Sequence, residues 1–264
     1  MIRQLKDADQ ALVLDYLYKE VNFNIFTIGD IETFGMETEF QRIYGEFDDE
    51  NQLISVFLRY RENAVYTSYM HRFNEAYLDI FKSDPFKFMS GKSELLELIE
   101  PYLEGYKKQK TYFCRASSIS DDIKPNLLIS KLSTEEDAGL LYDLLKLVEE
   151  FAYFESSREA FIKQKQDSIK MGMSLFIKED GKIISNVSTT AETTKNAMVV
   201  AVATHPEHRQ KGYASMLIKE LMYEYIVLKK KELCLFYDNP KAGKIYIKLG
   251  FKPIGKWSMY RKIK

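Results

Sequence analysis

Two stretches of this 264-residue chain carry residue types and spacings that could do chemistry. The first is V-V-A-V-A-T-H-P-E-H-R-Q-K-G-Y-A, Val199 to Ala214. An apolar strand ends at Thr204, a polar turn follows, and Arg209-x-x-Gly212-x-Ala214 opens a helix. The first N–H groups of a helix have no intrahelical partner, and together with the helix dipole they form a site for a pyrophosphate. Gly212 lets the backbone approach phosphates closely, and Arg209 and Lys211 add positive charge. A plain polar turn could look the same. The position between a buried strand and an amphipathic helix gives the pattern its weight. The second stretch runs from Asn239 to Phe251, N-P-K-A-G-K-I-Y-I-K-L-G-F. Asn239 is a helix N-cap residue, Pro240 suits the first helical position, and Gly250 ends the helix. Ala242, Ile245 and Leu249 can face a core with Tyr246 beside them. Tyr246 alone reads equally as a tyrosine at the edge of that core.

The elements that must position these residues follow from periodicity. Strands are expected near Ser174–Lys178, Lys182–Thr190 and Ala197–Ala203, with Asp180-Gly181 as a hairpin turn. Helices precede them near Thr134–Glu150 and Ser157–Lys170. A long helix should run from Tyr213 to about Lys229, burying Ala214, Leu217, Leu221, Tyr225 and Leu228. Strand Leu233–Phe236, a helix after Pro240 and strand Trp257–Arg261 finish an α/β domain with a mixed sheet. The first half reads alike: Ile2–Val21 aligns without a gap on Ile129–Val148, each a short strand and then an amphipathic helix. Ser133-x-x-Glu136 can cap the second of these. Strands Arg42–Phe47, Leu53–Tyr60 and Ala64–Tyr69, helices Phe73–Phe81 and Glu94–Leu103, and strand Thr111–Arg115 follow. The polar segment Ser117–Asn126 marks a boundary, giving domains 1–122 and 123–264.

Composition removes several classes. Lys and Arg total 38 against 39 Asp and Glu, a net charge of −1, whereas nucleic-acid binders show a basic excess. The only dense basic run, Lys229-Lys230-Lys231, sits where a helix C-terminus favours cations. Two cysteines, Cys114 and Cys234, and three histidines have no ligand spacing, so neither a metal site nor a disulfide scaffold is expected. No apolar run approaches the ~18 residues of a membrane span, and the N-terminus lacks a signal-peptide core. The expectation is a soluble, cytoplasmic protein.

Taken together, the two stretches resemble the GNAT superfamily of N-acetyltransferases. The match is to its Arg/Gln-x-x-Gly-x-Gly/Ala acetyl-CoA loop and its Asn-x-x-Ala-x-x-x-Tyr-x-x-x-Gly-Phe block, in the family's order, over Leu127 to Lys264. The resemblance implies a mixed, mostly antiparallel sheet flanked by helices, splayed to hold acetyl-CoA as cosubstrate. It places Arg209, Gln210, Lys211, Gly212, Tyr213 and Ala214 around the pyrophosphate. The Val202 backbone comes near the thioester carbonyl, Thr204 lies along the pantetheine arm, Asn239 beside that arm and Tyr246 near the sulfur. The first half resembles a degenerate copy in tandem. Its stretch MHRFNEAYLDIF, after the third strand, has no glycine and no phosphate loop.

The resemblance implies transfer of an acetyl group to an amine, which must attack in its neutral form. The Val202 amide would stabilise the developing oxyanion, and Tyr246 would protonate the departing thiolate. Direct transfer in a ternary complex is expected, since a covalent route needs an activated thiol and Cys234 reads as core. Three residues are candidates for the general base: Glu192, His205 and Glu155. A small-molecule primary amine is the expected acceptor. A lysine or N-terminal protein acetyltransferase and a non-catalytic acyl-CoA-binding module are the alternatives.

Overall fold

The computed structural model describes residues 1–119, 128–151, 157–168 and 172–263. One order of elements, strand, two helices, three strands, helix, strand, helix, strand, occurs twice along the chain. In the first half these are β1 (Ile2–Gln4), α1 (Gln10–Tyr18), α2 (Ile25–Phe34), β2 (Gln41–Phe47), β3 (Leu53–Tyr60), β4 (Asn63–Ser68), α3 (Tyr77–Ser83), β5 (Phe88–Lys92), α4 (Ser93–Ile99) and β6 (Tyr106–Ala116). The second half has β7 (Ile129–Lys131), α5 (Glu135–Lys146), α6 (Arg158–Ser168), β8 (Ser174–Glu179), β9 (Lys182–Thr190), β10 (Asn196–Thr204), α7 (Tyr213–Met222), β11 (Glu232–Tyr237), α8 (Pro240–Lys248) and β12 (Lys252–Lys262). Residues 120–126 of the expected boundary lie outside the described residues.

The chain forms two compact units. The first comprises Met1–Phe113, Phe236–Asp238 and Pro253–Lys264. Its strands lie in the order β1-β2-β3-β4-β5-β12, antiparallel except for the parallel pair β4 and β5. The last strand of the chain therefore belongs to this unit, and its apolar residues show why. Trp257 and Tyr260 are buried, and Tyr260 joins a core with Phe57, Phe86, Met89 and Leu96. Ser258 donates to Ser93 Oγ at 2.8 Å, and Thr111 donates to the Trp257 carbonyl at 3.1 Å. β12 begins five residues before the expected Trp257. Pro253 and Gly255 disguise its start, but Gly255 is where the Phe23 ring approaches: a Cβ there would stand 2.7 Å from it.

The second unit comprises Cys114–Leu235 and Asn239–Lys252. Its strands lie in the order β7-β8-β9-β10-β11, all antiparallel except the pair β10 and β11. The β8–β9 hairpin turns on Asp180 and Gly181, both left-handed at φ 47° and 75°, as the Asp-Gly pair predicts. α5 and α6 cover one face, where Leu132, Leu141, Leu144, Phe161 and Phe176 form a core. The α5 cap differs from the expected one by one residue. Thr134 accepts from the Asp137 amide at 3.1 Å, and Asp137 accepts in return from the Thr134 amide at 3.3 Å. That register puts Ala138, Leu141, Leu144 and Leu145 inside. α7 also ends before Lys229. A π-helical turn, Tyr223–Leu228, closes it with an i→i+5 bond from Lys229 to Glu224. The wider turn keeps Tyr225 buried and rotates Leu228 outward to 55% exposure.

Candidate active site

β10 is the strand on which the site is built. Its parallel register with β11 runs from Asn196–Glu232 to Val199–Leu235 and stops there, while β10 continues to Thr204. On its other side, β9 pairs Val200 with Ser188 and Ala203 with Asn186. Ala201 and Val202 thus oppose the single residue Val187, which is a β-bulge. Ala201 is left-handed, at φ 51°, a conformation an alanine adopts only at a cost. Val202 therefore has no residue of its own paired with it on β9, and it lies beyond the last pair with β11.

The segment after Thr204 is a tight turn, Pro206–His208, and then a helix start. Gln210 has φ 63°, and Gly212, the N-cap of α7, has φ 83° and ψ 0°. Left-handed residues two apart turn successive amides toward one concave side, which favours an anion. A Cβ on Gly212 would meet nothing within 4 Å, so the glycine answers to backbone conformation and to the open space above it. Lys211 and Tyr213 flank it. Ala214 lies in the first turn of α7, whose Leu217, Ile218, Leu221 and Met222 are buried. Arg209 is drawn back onto its own strand, Nε donating to the Thr204 carbonyl at 3.4 Å. It buttresses the turn.

α8 is bounded as its sequence predicts. Asn239 Oδ1 accepts from the Lys241 amide at 2.9 Å. At the other end Gly250, φ 100°, donates to Ile247 O and Phe251 donates to Tyr246 O, both at 3.0 Å. This is a Schellman motif, completed by the edge-to-face contact of the Tyr246 and Phe251 rings, 6.2 Å between centroids. The buried stripe is Gly243, Tyr246 and Leu249, one position round from the expected one, and Ile245 faces out at 39% exposure. Tyr246, 8% exposed, is therefore anchored through backbone and ring. α7 follows β10 and α8 follows β11. Because these strands are parallel, both helix N-termini lie toward the carboxyl ends of β10 and β11.

The three candidate bases fare differently. Glu192 lies in the turn before Asn196, roughly 20 Å along the strand from Val202 at ~3.3 Å per residue. Both its oxygens are occupied: Lys231 donates at 2.7 Å, Tyr225 at 2.7 Å and Lys229 at 3.0 Å. Burial alone would raise this carboxyl, yet the bonds from Lys231, Tyr225 and Lys229 hold it below the usual glutamate range. It clamps the β9–β10 turn to the segment after α7, and this is the role of two lysines in the basic run. His205 sits at the carboxyl end of β10, but its Nδ1 accepts from the Glu207 amide at 3.3 Å, which leaves the ring proton on Nε2. Glu155 lies outside the described residues. Burial raises the thiol of Cys234, the opposite of an activated nucleophile.

The sequence reading did not single out the polar layer under the bulge. Ser174 at the start of β8 and Ser185, Asn186, Ser188 and Thr189 on β9 are all buried. Asn186 Nδ2 donates to the Ala201 carbonyl at 2.8 Å and to Ser188 Oγ at 3.1 Å. Ser188 Oγ is also 2.7 Å from Ser174 Oγ and 3.4 Å from Lys165 Nζ on α6. Burial lowers the Lys165 ammonium to about 8. The signal was present: S-N-V-S-T-T fills a strand that must be buried on both faces, where apolar residues are the rule. Among the described residues no cluster of His, Cys, Asp and Glu could hold a metal, and no helix is long and apolar enough to cross a membrane.

The chain is similar to known proteins in sequence family and in fold. The sequence model of the family described as GNAT acetyltransferase matches residues 47–260, reaching well into the first half. A GCN5-related N-acetyltransferase from Sphaerobacter thermophilus is similar in structure, with a TM-score of 0.63, 14% identity, and coverage of 99% of this chain and 95% of that one. A GCN5-related N-acetyltransferase-like protein from Streptococcus suis 89/1591 has a TM-score of 0.58 at 16% identity, covering 97% and 99%. A tandem GNAT protein from the clavulanic acid biosynthesis pathway has 0.61 at 10% identity, covering 98% and 97%. At these identities the likeness is one of fold. No curated protein matches the sequence.

Proposed function

The chain belongs to the GNAT acetyltransferase family, and on that premise we propose that this acyltransferase moves an acetyl group from acetyl-CoA to a primary amine of a small molecule, directly and in a ternary complex. The observation that carries the reading is the bulge at Ala201–Val202, which ends eight residues before a left-handed pair at Gln210 and Gly212. A thioester needs a donor at its carbonyl and a cradle for its phosphates, and one continuous stretch of chain supplies both. The residues present fit acetyl-CoA: open space lies above Gly212, and Val202 has no paired residue of its own on β9 or β11.

The work of each residue then follows. The amides of the 210–214 loop and the charge of Lys211 hold the pyrophosphate. The Val202 amide donates to the thioester oxygen as negative charge grows there, a contribution that reaches several kcal/mol for such donors. The amine nitrogen forms the new bond to the acetyl carbon while the carbon–sulfur bond breaks. One proton leaves the amine to a base or water chain, and Tyr246 returns one to the thiolate. Asn239 fixes the start of α8 and so the placement of Tyr246. The raised thiol of Cys234 supports direct transfer over an acetyl-cysteine route. A near-zero net charge favours small acceptors over strongly basic proteins. The test is a CoA-release screen over amino acids, polyamines, amino sugars and peptides. Turnover confined to peptides would replace the small-molecule acceptor with a protein one.

A further inference from the structure

We infer that Asn186 is a positioning residue for the reaction: by holding the Ala201 carbonyl it aims the Val202 amide at the thioester oxygen. The inference rests on the proposed role of that amide. Ala201 C=O and Val202 N–H belong to one peptide unit, and no peptide in the described chain is cis. In a trans peptide the two groups point in opposite directions within one plane. Fixing the carbonyl therefore fixes the direction of the amide. In an ordinary strand the ladder would do this, but the bulge has released both residues from it. Asn186 takes over that task, Nδ2 reaching the Ala201 carbonyl at 2.8 Å. A hydrogen bond accepted at the carbonyl also polarises the peptide and makes its N–H a stronger donor.

Three further features point the same way. The second hydrogen of Nδ2 is engaged by Ser188 Oγ at 3.1 Å, and Ser188 is itself held by Ser174 and Lys165. The amide group therefore cannot rotate without breaking a buried network. Asn186 is 0% exposed, yet its Oδ1 has no hydrogen-bond partner among the described residues. A buried acceptor without a partner destabilises a core. The asparagine is thus poorly suited to stabilising the core and well suited to holding one carbonyl. Finally, Ala201 at φ 51° is strained, and a strained peptide keeps its orientation only where its surroundings impose it.

The experiment is difference infrared spectroscopy of acetyl-CoA labelled with ¹³C at the thioester carbonyl, bound to the full-length chain, with acetyl-CoA affinity measured by calorimetry. In the wild type a donated hydrogen bond lowers the carbonyl stretch relative to free acetyl-CoA. Asn186→Leu is expected to lose that downshift while binding acetyl-CoA within about twofold of wild type. Turnover on an amine acceptor should fall by about tenfold or more, a fraction of what deleting an oxyanion donor costs. Asn186→Asp gives a second readout, and it decides if the leucine variant does not fold. Protonated, the acid can donate to the Ala201 carbonyl, and ionised it cannot. The downshift should be present where the new carboxyl is protonated and absent where it is ionised, the state being read from the carboxyl band in the same spectra. If the downshift persists in Asn186→Leu, or in Asn186→Asp with the carboxyl ionised, the positioning role is refuted and the Val202 reading stands. If affinity and downshift are lost together, Asn186 is merely structural. If wild type shows no downshift, the Val202 reading itself falls, and the inference with it.

Discussion

A matched pair of substitutions at Gly212 isolates the phosphate cradle. Gly212→Ala and Gly212→Glu impose the same backbone problem, because both put a Cβ on a residue at φ 83°. A left-handed conformation costs an ordinary residue about 1–2 kcal/mol. Nothing lies within 4 Å of the new Cβ, so no steric cost is added. Both variants should therefore fold and melt roughly 3–6 °C below wild type, by the usual scaling for domains of this size. Their affinities for acetyl-CoA should separate. The glutamate adds one negative charge facing the pyrophosphate. At about 5 Å and an effective dielectric near 20, each like-charge pair costs about 3 kcal/mol, on the order of 10²-fold in affinity. The alanine adds a methyl and no charge, and should weaken binding by about tenfold or less. Calorimetry with acetyl-CoA, beside scanning calorimetry of the unliganded variants, measures both quantities. If the two variants melt together and bind acetyl-CoA within twofold of one another, the pyrophosphate does not lie at this helix start.

Tyr246→Phe keeps the ring packed on Phe251 and the backbone bonds that end α8, so melting temperature and acetyl-CoA affinity should change little. Steady-state turnover should fall by about 10²-fold if proton donation limits the rate, and an unchanged turnover would return Tyr246 to the core. Glu192→Gln should leave turnover near wild type but cost about 2 kcal/mol at pH 7, the scale of charge-assisted bonds. Because the folded carboxyl titrates below its unfolded value, its contribution is present above the unfolded pKa and lost as the pH falls through the folded one. The urea midpoints of variant and wild type should thus converge as the pH falls below the usual glutamate range, and a large loss of turnover would restore Glu192 as a catalytic candidate. Asp30 on α2 is the reverse case, since burial raises its carboxyl to about 7. Between its unfolded and folded pKa the folded state binds the extra proton, so stability falls as the pH rises through that window. Asp30→Asn should raise the free energy of unfolding in urea by as much as about 4 kcal/mol at pH 8, and by almost nothing at pH 4.

The residues of the site were legible in the sequence wherever local chemistry dictates local shape. A left-handed helix start needs glycine, a capped helix needs an asparagine or its like, and a Schellman end needs Gly-Phe. Gly212, Asn239 and Gly250 therefore announce their conformations without reference to the rest of the chain. The β8–β9 hairpin follows from Asp-Gly for the same reason. Long-range packing decided the remainder. No property of Ala201 or Val202 marks them for a bulge: Val187 faces two residues only because β9 and β10 fall out of step there. Glu192 reads as a solvated turn glutamate until folding brings Tyr225, Lys229 and Lys231 around it from residues more than thirty positions away. β5 was invisible because Ser90 and Gly91 break its apolar run, and it forms because β4 and β12 pair with it on either side. The last strand belongs to the first unit for a reason no local window contains: Trp257 packs on Phe113, 144 positions earlier, and Tyr260 on Phe57, Phe86, Met89 and Leu96, at least 164 positions earlier. Local propensity acts over a few residues, whereas burial is settled between elements far apart in the chain. The sequence could therefore name the donors and caps, and only the folded chain could assign the strand that aims them.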